Sequence, residues 1–136
     1  MYSIWNLLLC LSFIGGFVRA DQVPPPAPYV LGYPDQLSYL PGEEVAFHLS
    51  TSEKKISLLI ERLGGTTVKV SEKVGIPGKA HRIPDRASSH GCNWPVTFKL
   101  KIPDDWKSGY YQVSLSGADG KTNNTMFFVV RSKEPG

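Results

Sequence analysis

Apolar and polar residues alternate along two neighbouring stretches in the C-terminal half of the chain. In the first stretch, the apolar positions Val96, Phe98, Leu100 and Ile102 alternate with Thr97, Lys99 and Lys101. In the second stretch, Tyr111, Val113 and Leu115 alternate with Gln112 and Ser114. Successive side chains of a β-strand point to opposite faces of the sheet, so each stretch predicts a strand with one buried face and one solvated face.

A corner between Pro103 and Gly109 joins these two predicted strands. Tyr111 follows the bend directly, which resembles the tyrosine corner of immunoglobulin-like sandwiches, where a buried ring uses its hydroxyl to satisfy a backbone group of the turn. We therefore expect Tyr111 to be a structural anchor. Trp94 and Trp106 flank the first strand, and we expect them to be anchors that close the two ends of the core.

Five further strands are predicted from short apolar or alternating runs that turn residues separate. They are Leu37–Tyr39, Val45–Ser50, Ile56–Leu63, Thr67–Val74 and Thr125–Arg131. The run that begins at Ile56 is also compatible with a helix, but it is short and stops at Gly64-Gly65, which favours a strand. Regularly spaced short strands indicate an all-β fold, here an immunoglobulin-like antiparallel β-sandwich of about seven strands over residues 32–131.

The N-terminal residues 1–20 form an apolar segment that we interpret as a signal peptide, cleaved before Asp21. We therefore expect a secreted or periplasmic protein. A lipoprotein anchored through Cys10 fits less well because that cysteine lies inside the apolar run, and an uncleaved anchor would be short for a membrane span. Residues 21–31 are rich in proline and predict an extended linker or a leading edge strand, and residues 132–136 a C-terminal tail or a truncated linker.

Charge and cysteine content exclude several classes of function. The chain of 136 residues has a formal net charge of +3, with acidic and basic residues interspersed. Without a basic stripe that alternates with aromatic residues, we expect no nucleic-acid partner, and after cleavage no membrane partner. Cys92 is the sole cysteine expected in the mature chain, which excludes an internal disulfide.

The irregular segment 75–94 contains the residues that first suggest chemistry. His81, Asp85, His90 and Cys92 could gather around a metal, although His90-Gly-Cys92 is not a recognised ligand spacing. Cys92 beside His90 could also be a nucleophile, but no nearby feature would depress its thiol pKa. We therefore expect no catalytic residue, no metal and no cofactor in this chain.

Aromatic side chains predict a binding surface instead. After the two tryptophans are assigned to the core, Tyr33 and Tyr110 remain as exposed rings that could stack on a sugar or contact a protein. Long loops on rigid sandwiches often contain binding residues. We therefore expect Tyr33, Tyr110, His81 and His90 to bind a glycan or protein partner.

Several motifs resemble the β-sandwich segment of the large subunit of N,N-dimethylformamidase and its relatives. They are Gly32-Tyr-Pro-Asp-Gln-Leu-Ser-Tyr-Leu-Pro-Gly-Glu-Glu-Val-Ala-Phe-His-Leu-Ser-Thr51, Ile60-Glu-Arg-Leu63, Cys92-Asn-Trp-Pro95, Ile102-Pro-Asp-Asp-Trp-Lys-Ser-Gly-Tyr110 and Phe127-Phe-Val-Val-Arg131. The resemblance implies a sandwich that precedes a larger, amidotransferase-like region, and that region contains the metal-dependent amide-hydrolysing site.

The resemblance leaves two hypotheses about function. The chain is either an exported, non-catalytic module for recognition or scaffolding, or the N-terminal part of a larger amidohydrolase whose catalytic region lies beyond residue 136. In both cases the chain alone has no credible active site.

Overall fold

The computed structural model describes residues 27–134, apart from the side chain of His90. The predicted signal peptide, the first part of the predicted linker and the last two residues of the predicted tail lie outside this range. The described residues form eight strands and one short helix. They are β1 (Val30–Pro34), β2 (Ser38–Tyr39), β3 (Glu44–Thr51), β4 (Lys55–Leu63), β5 (Val68–Pro77), α1 (Ala87–His90), β6 (Phe98–Lys101), β7 (Gly109–Gly117) and β8 (Asn123–Val130).

The strands form two sheets, which confirms the predicted all-β sandwich. One sheet has three strands in the order β1-β3-β6, and the other has five in the order β2-β8-β7-β4-β5. All pairings are antiparallel except the short one between β2 and β8. Two layers are the smallest arrangement in which each sheet can bury one apolar face.

The core lies between the sheets and consists of the residues that the alternation marks as apolar. Its largest fully buried members are Tyr39, Val45, Phe47, Leu49, Ile56, Leu58, Ile60, Ile102, Tyr111, Val113, Leu115 and Phe128. The run at Ile56 is thus a strand and not a helix, because its buried residues recur with a period of two. Gly32 faces this core from β1, where an added Cβ would meet Leu49 and Leu115.

The structure corrects the extent of several predicted strands. Val96 is 43% exposed because β6 starts only at Phe98, and Leu37 is exposed beside the two-residue β2. Strand β5 continues to Pro77 through Gly75, whose positive φ of 73° belongs to an irregular part of the β4–β5 ladder. Strand β8 starts at Asn123, two residues before the predicted start.

Strand β1 overlaps residues 21–31, for which a linker or a leading edge strand was predicted. Val30 and Leu31 pair with Thr51 and Ser50 of β3 and so belong to the sandwich. Pro34 ends β1 at the edge of the three-stranded sheet, where a missing backbone N–H costs no ladder hydrogen bond.

Tyr111 has the geometry of a tyrosine corner. Its ring is buried, and its hydroxyl donates a 2.6 Å hydrogen bond to the carbonyl of Lys107, inside the bend. The Trp106 ring stacks on it, with centroids 5.0 Å apart and planes 5° from parallel. Burial raises the pKa of the Tyr111 hydroxyl, and the Arg62 guanidinium offsets part of that rise.

Candidate ligand-binding surfaces

Three regions of the described sandwich bring together residues capable of recognition. The first is an aromatic cluster on the outer face of the three-stranded sheet, composed of Tyr33, His48, His81 and Trp94. The second is a pair of exposed rings on the outer face of the five-stranded sheet. The third is a cavity beside the 103–108 corner.

Trp94 is buried, but it does not close an end of the core as we expected. It is 6% exposed and packs against Tyr33, with ring centroids 5.5 Å apart. Tyr33 stacks on His48, its register partner on β3, and His48 points away from the core because its neighbours Phe47 and Leu49 point inward. Trp94 therefore belongs to a second, smaller packed layer outside the three-stranded sheet.

Hydrogen bonds hold the Trp94 loop against this outer face. The Trp94 backbone N–H donates to the Tyr33 hydroxyl at 3.1 Å, and the indole N–H donates to the carbonyl of Arg82 at 3.0 Å. The His48 ring Nδ1 lies 2.6 Å from the carbonyl of Trp94. His48 is half-buried beneath the loop.

The predicted ligand residues Tyr33 and His81 thus meet at Trp94. The His81 ring lies 6.4 Å from the indole, and its backbone exchanges two hydrogen bonds with the hydroxyl of Ser50. Tyr33 and His81 therefore hold the loop on the sheet. His90 ends α1, and its side chain lies outside the described part of the structure.

The residues considered for metal binding are spread along the same segment. Cys92 is a half-buried free thiol, and exposed Asp85 lies 3.7 Å from the guanidinium of Arg82. Among the side chains that the structure describes, no three His, Cys, Asp or Glu residues converge as a metal site would require.

Tyr110 lies on the other side of the molecule. It belongs to β7 and stacks on Phe127 of β8, with centroids 4.9 Å apart and planes 18° from parallel. Tyr110 is 40% exposed and Phe127 is 42% exposed. Because two sheets separate Tyr110 from Tyr33 and His81, the predicted residues form two surfaces and not one site.

A cavity of about 310 Å³ opens between the corner and β5. It is lined by Arg62, Val68, Val70, Asp105, Trp106, Lys107 and Tyr111. The valines come from the edge strand β5, and Val70 lies where the β4–β5 register shifts. The lining combines an apolar wall with two cations and one carboxylate.

The backbone of the corner positions Arg62 in this cavity. Its Nε and Nη2 atoms both donate to the carbonyl of Ser108, at 3.2 and 2.8 Å. Gly109 has a φ of +149°, and a Cβ there would lie 3.1 Å from Nε. The absence of a side chain at Gly109 thus leaves room for the Arg62 guanidinium to lie against the backbone.

Sequence reasoning assigned Trp106 to the core and missed Arg62, Lys107 and the β5 valines as a group. Arg62 and Ser108 are 46 residues apart, so only the strand pairing brings them together. The sequence did contain a signal for this grouping, because the Ile60–Leu63 and Ile102–Tyr110 motifs both contribute residues to the corner.

Two other surface cavities are less suited to ligand binding. One of about 240 Å³ lies behind the corner and is flanked by the ion pair of Lys133 with Asp104. The other, of about 350 Å³, lies at the opposite end among Val74, Gly75, Gly117 and Gly120. Within residues 27–134, the structure has no helix with the length and apolar character of a membrane span.

Comparisons with known proteins place the chain in a family. The sequence matches the family described as N,N-dimethylformamidase beta subunit-like, C-terminal, over residues 60–136, which is more than half of the chain. No curated protein matches the sequence. Among solved structures, the chain is similar to Spo0M, a sporulation control protein from Bacillus subtilis, at 13% sequence identity with a TM-score of 0.47. That similarity covers 78% of this chain and 50% of the Spo0M chain, so this chain spans about half the length of that protein. The family match shows that the chain belongs to the N,N-dimethylformamidase beta subunit-like, C-terminal family.

Proposed function

We propose that this protein is an exported, non-catalytic β-sandwich module for recognition or scaffolding, which binds a protein partner through the outer face of its five-stranded sheet. The observation that carries the proposal is the stacked pair of Tyr110 and Phe127, both exposed on that face. Exposed rings of this size in contact with each other are typical of interaction surfaces.

The strand register extends this pair into an apolar stripe. Tyr110 lies opposite Leu63 of β4 and opposite Val129 of β8, and directly paired residues point to the same face. Leu63 and Val129 are half-buried, and Gln112 lies opposite Phe127. The stripe therefore crosses three strands, with aromatic rings at its most exposed points.

The stacking geometry favours a protein over a glycan as the partner. Sugar-binding sites use the open face of a ring as a platform, whereas Tyr110 and Phe127 each cover one face of the other. A protein can instead bury the ring edges and the aliphatic stripe together, as in the apolar centre of a protein interface.

The groups with shifted pKa values support a structural role for the chain. The Thr122 N–H and hydroxyl hold the Asp119 pKa below its usual value, and burial raises the pKa of Tyr39. Burial alone would raise the pKa of Asp35, but hydrogen bonds from Tyr39 and Ala46 have the larger effect and lower the pKa below its usual value. Each of these shifts arises from hydrogen bonds or burial that hold the backbone.

Family membership favours a second, related function. The family is described as beta subunit-like, and a subunit acts within a larger assembly. In this alternative the chain is a subunit or the N-terminal part of a metal-dependent amidohydrolase, and the same apolar stripe contacts the catalytic region. The family description names a beta subunit and a C-terminal region, so it supports the subunit and not the N-terminal part.

The mass of the native assembly tests the partner proposal. Tagged protein is recovered from the exported fraction of its own cells and compared with Tyr110→Ser/Phe127→Ser and with the control Lys99→Ser/Lys101→Ser on the other sheet. We expect the wild type and the control to elute in a complex of defined mass, and the aromatic double variant to elute alone. A wild type at the mass of the single chain would contradict the proposal. Glycan-array binding that the aromatic variant loses would replace the protein partner with a glycan.

Export is tested separately. We expect N-terminal sequencing of the protein recovered from a secretion-competent host to begin at Asp21. Intact mass of the native protein distinguishes the module from the larger amidohydrolase, because the alternative requires a polypeptide that continues beyond Gly136 or a separate catalytic subunit.

A further inference from the structure

We propose that the corner cavity is a binding site for a small carboxylate with a flat apolar body. The cavity is bounded by Arg62, Trp106 and Lys107 together with the valines of β5. It lies on the inner side of β4 and β5, since Arg62 pairs with buried Tyr111, whereas the stripe at Tyr110 lies on the outer side. The site is therefore independent of the partner surface proposed above.

The charge of the cavity favours an anion. Among the described residues, neither Arg62 nor Lys107 has a carboxylate within ion-pair distance, although four other ion pairs form on the surface. Arg62 instead donates two hydrogen bonds to a neutral oxygen, the carbonyl of Ser108. The carboxylate of Asp105 also lines the cavity. The formal net charge of the lining is therefore +1, from the two cations and this one carboxylate.

The guanidinium is held in position before any ligand binds. Its Nε and Nη2 atoms are engaged on one side by Ser108, and Gly109 leaves no side chain in its way. A planar guanidinium with a fixed orientation can present its remaining N–H groups to a carboxylate as a pair. Preorganisation of this kind lowers the entropy lost when a ligand binds.

The apolar wall defines the rest of the ligand. Trp106 is half-buried against Tyr111, while Val68 and Val70 line the other side. A volume of about 310 Å³ is at the small end of the range of ligand sites, roughly 300–1,000 Å³. The combination fits a single-ring arylcarboxylate better than a large cofactor or an extended peptide.

The experiment is an NMR titration of the exported protein with benzoate, with neutral benzamide as the isosteric control. The indole N–H of Trp106 reports on the cavity, and that of Trp94, on the outside of the other sheet, is an internal control. We expect a saturable shift at Trp106 alone, with a dissociation constant on the order of 1 mM for such a small ligand. Benzamide should bind about tenfold more weakly because it lacks the charge-assisted hydrogen bonds.

Three variants complete the test. Arg62→Gln should abolish the benzoate shift and Lys107→Gln should weaken it about threefold, whereas Lys101→Gln, the same charge change on the other sheet, should leave it unchanged. Equal shifts from benzoate and benzamide, equal shifts at Trp94 and Trp106, or no shift at Trp106 would each overturn the proposal. If Arg62→Gln disturbs the corner, the comparison of benzoate with benzamide on the wild-type protein still tests whether the cavity binds a carboxylate.

Discussion

At the scale of single residues, a few hydrogen-bonded side chains connect separate segments of the backbone. The Asp35 carboxylate accepts hydrogen bonds from the Tyr39 hydroxyl and from the backbone N–H of Ala46, and the Tyr39 hydroxyl accepts one from the N–H of Gln36. Tyr39 itself is buried in the core. The carboxylate of Asp35 thus links β2 to β3 through hydrogen bonds.

Asp35 should make the stability of the protein depend on pH. Its folded-state pKa is below the ordinary value of 3.8, so ionisation favours the folded state. The contribution is fully present above pH 3.8 and is lost as pH falls through the lowered pKa. Because Asp35 is largely exposed, we expect Asp35→Asn to cost only about 1 kcal/mol at pH 7, and less at pH 3. Urea unfolding at both pH values measures the difference, and equal losses at both would contradict this role.

The hydroxyl of Tyr111 should contribute to stability separately from its ring. Tyr111→Phe retains the stack on Trp106 but removes the 2.6 Å hydrogen bond to the Lys107 carbonyl. We expect a loss of about 1–2 kcal/mol in the free energy of unfolding, as for other buried hydrogen bonds. Tyr110→Phe, on the exposed face, is the matched control and should change stability by less than about 0.5 kcal/mol.

At the scale of elements, the corner between β6 and β7 depends on one glycine. Gly109 has a positive φ, and a Cβ added there would lie 3.1–3.4 Å from the Arg62 guanidinium; Gly120 also has a positive φ, but a Cβ there would meet open space. We expect Gly109→Ala to destabilise the fold by about 2–3 kcal/mol and Gly120→Ala by about 1 kcal/mol, since only the former adds a steric contact to the backbone strain. Thermal unfolding of the two variants measures this difference, and equal losses would show that Arg62 does not need the space.

Strands that place one face on the core could be predicted from sequence, and other elements could not. The alternation in β3, β4 and β7 follows directly from burial of Val45, Ile56 and Val113 on one side only. Strand β1 was predicted only as an alternative, a leading edge strand within residues 21–31, because its short sequence contains Gly32 in place of an apolar core residue and ends in proline. Trp94 was misplaced because its packing partners, Tyr33 and His48, lie on the outside of a sheet, and alternation alone does not reveal a second layer there.

At the scale of the whole molecule, the described sandwich presents different chemistry on its two outer faces. The three-stranded sheet is covered by a hydrogen-bonded loop, whereas the five-stranded sheet leaves Tyr110 and Phe127 exposed. The exposure of Tyr110 could be predicted from the sequence, because neighbouring residues of a strand point to opposite faces and Tyr111 was assigned to the core. Its partner Phe127 and the corner cavity could not, because both depend on strand pairings between residues far apart in the sequence.

The absence of catalysis is a prediction at this scale as well. We expect the purified chain to release no dimethylamine or formate from N,N-dimethylformamide above the rate in buffer, with or without added iron or zinc. The same assay on a preparation that also contains the proposed catalytic region is the positive control. Metal-dependent hydrolysis by the chain alone would contradict the proposed function.

Photo-cross-linking tests the central claim most directly, because it reports what contacts the aromatic stripe in the cell. Phe127 is replaced with p-benzoylphenylalanine, and Lys101, exposed on the other sheet, is replaced in the same way as a control. We predict one discrete protein adduct from position 127 and none from position 101. Adducts of equal yield from both positions, or no adduct from position 127, would contradict a partner-binding face on the five-stranded sheet.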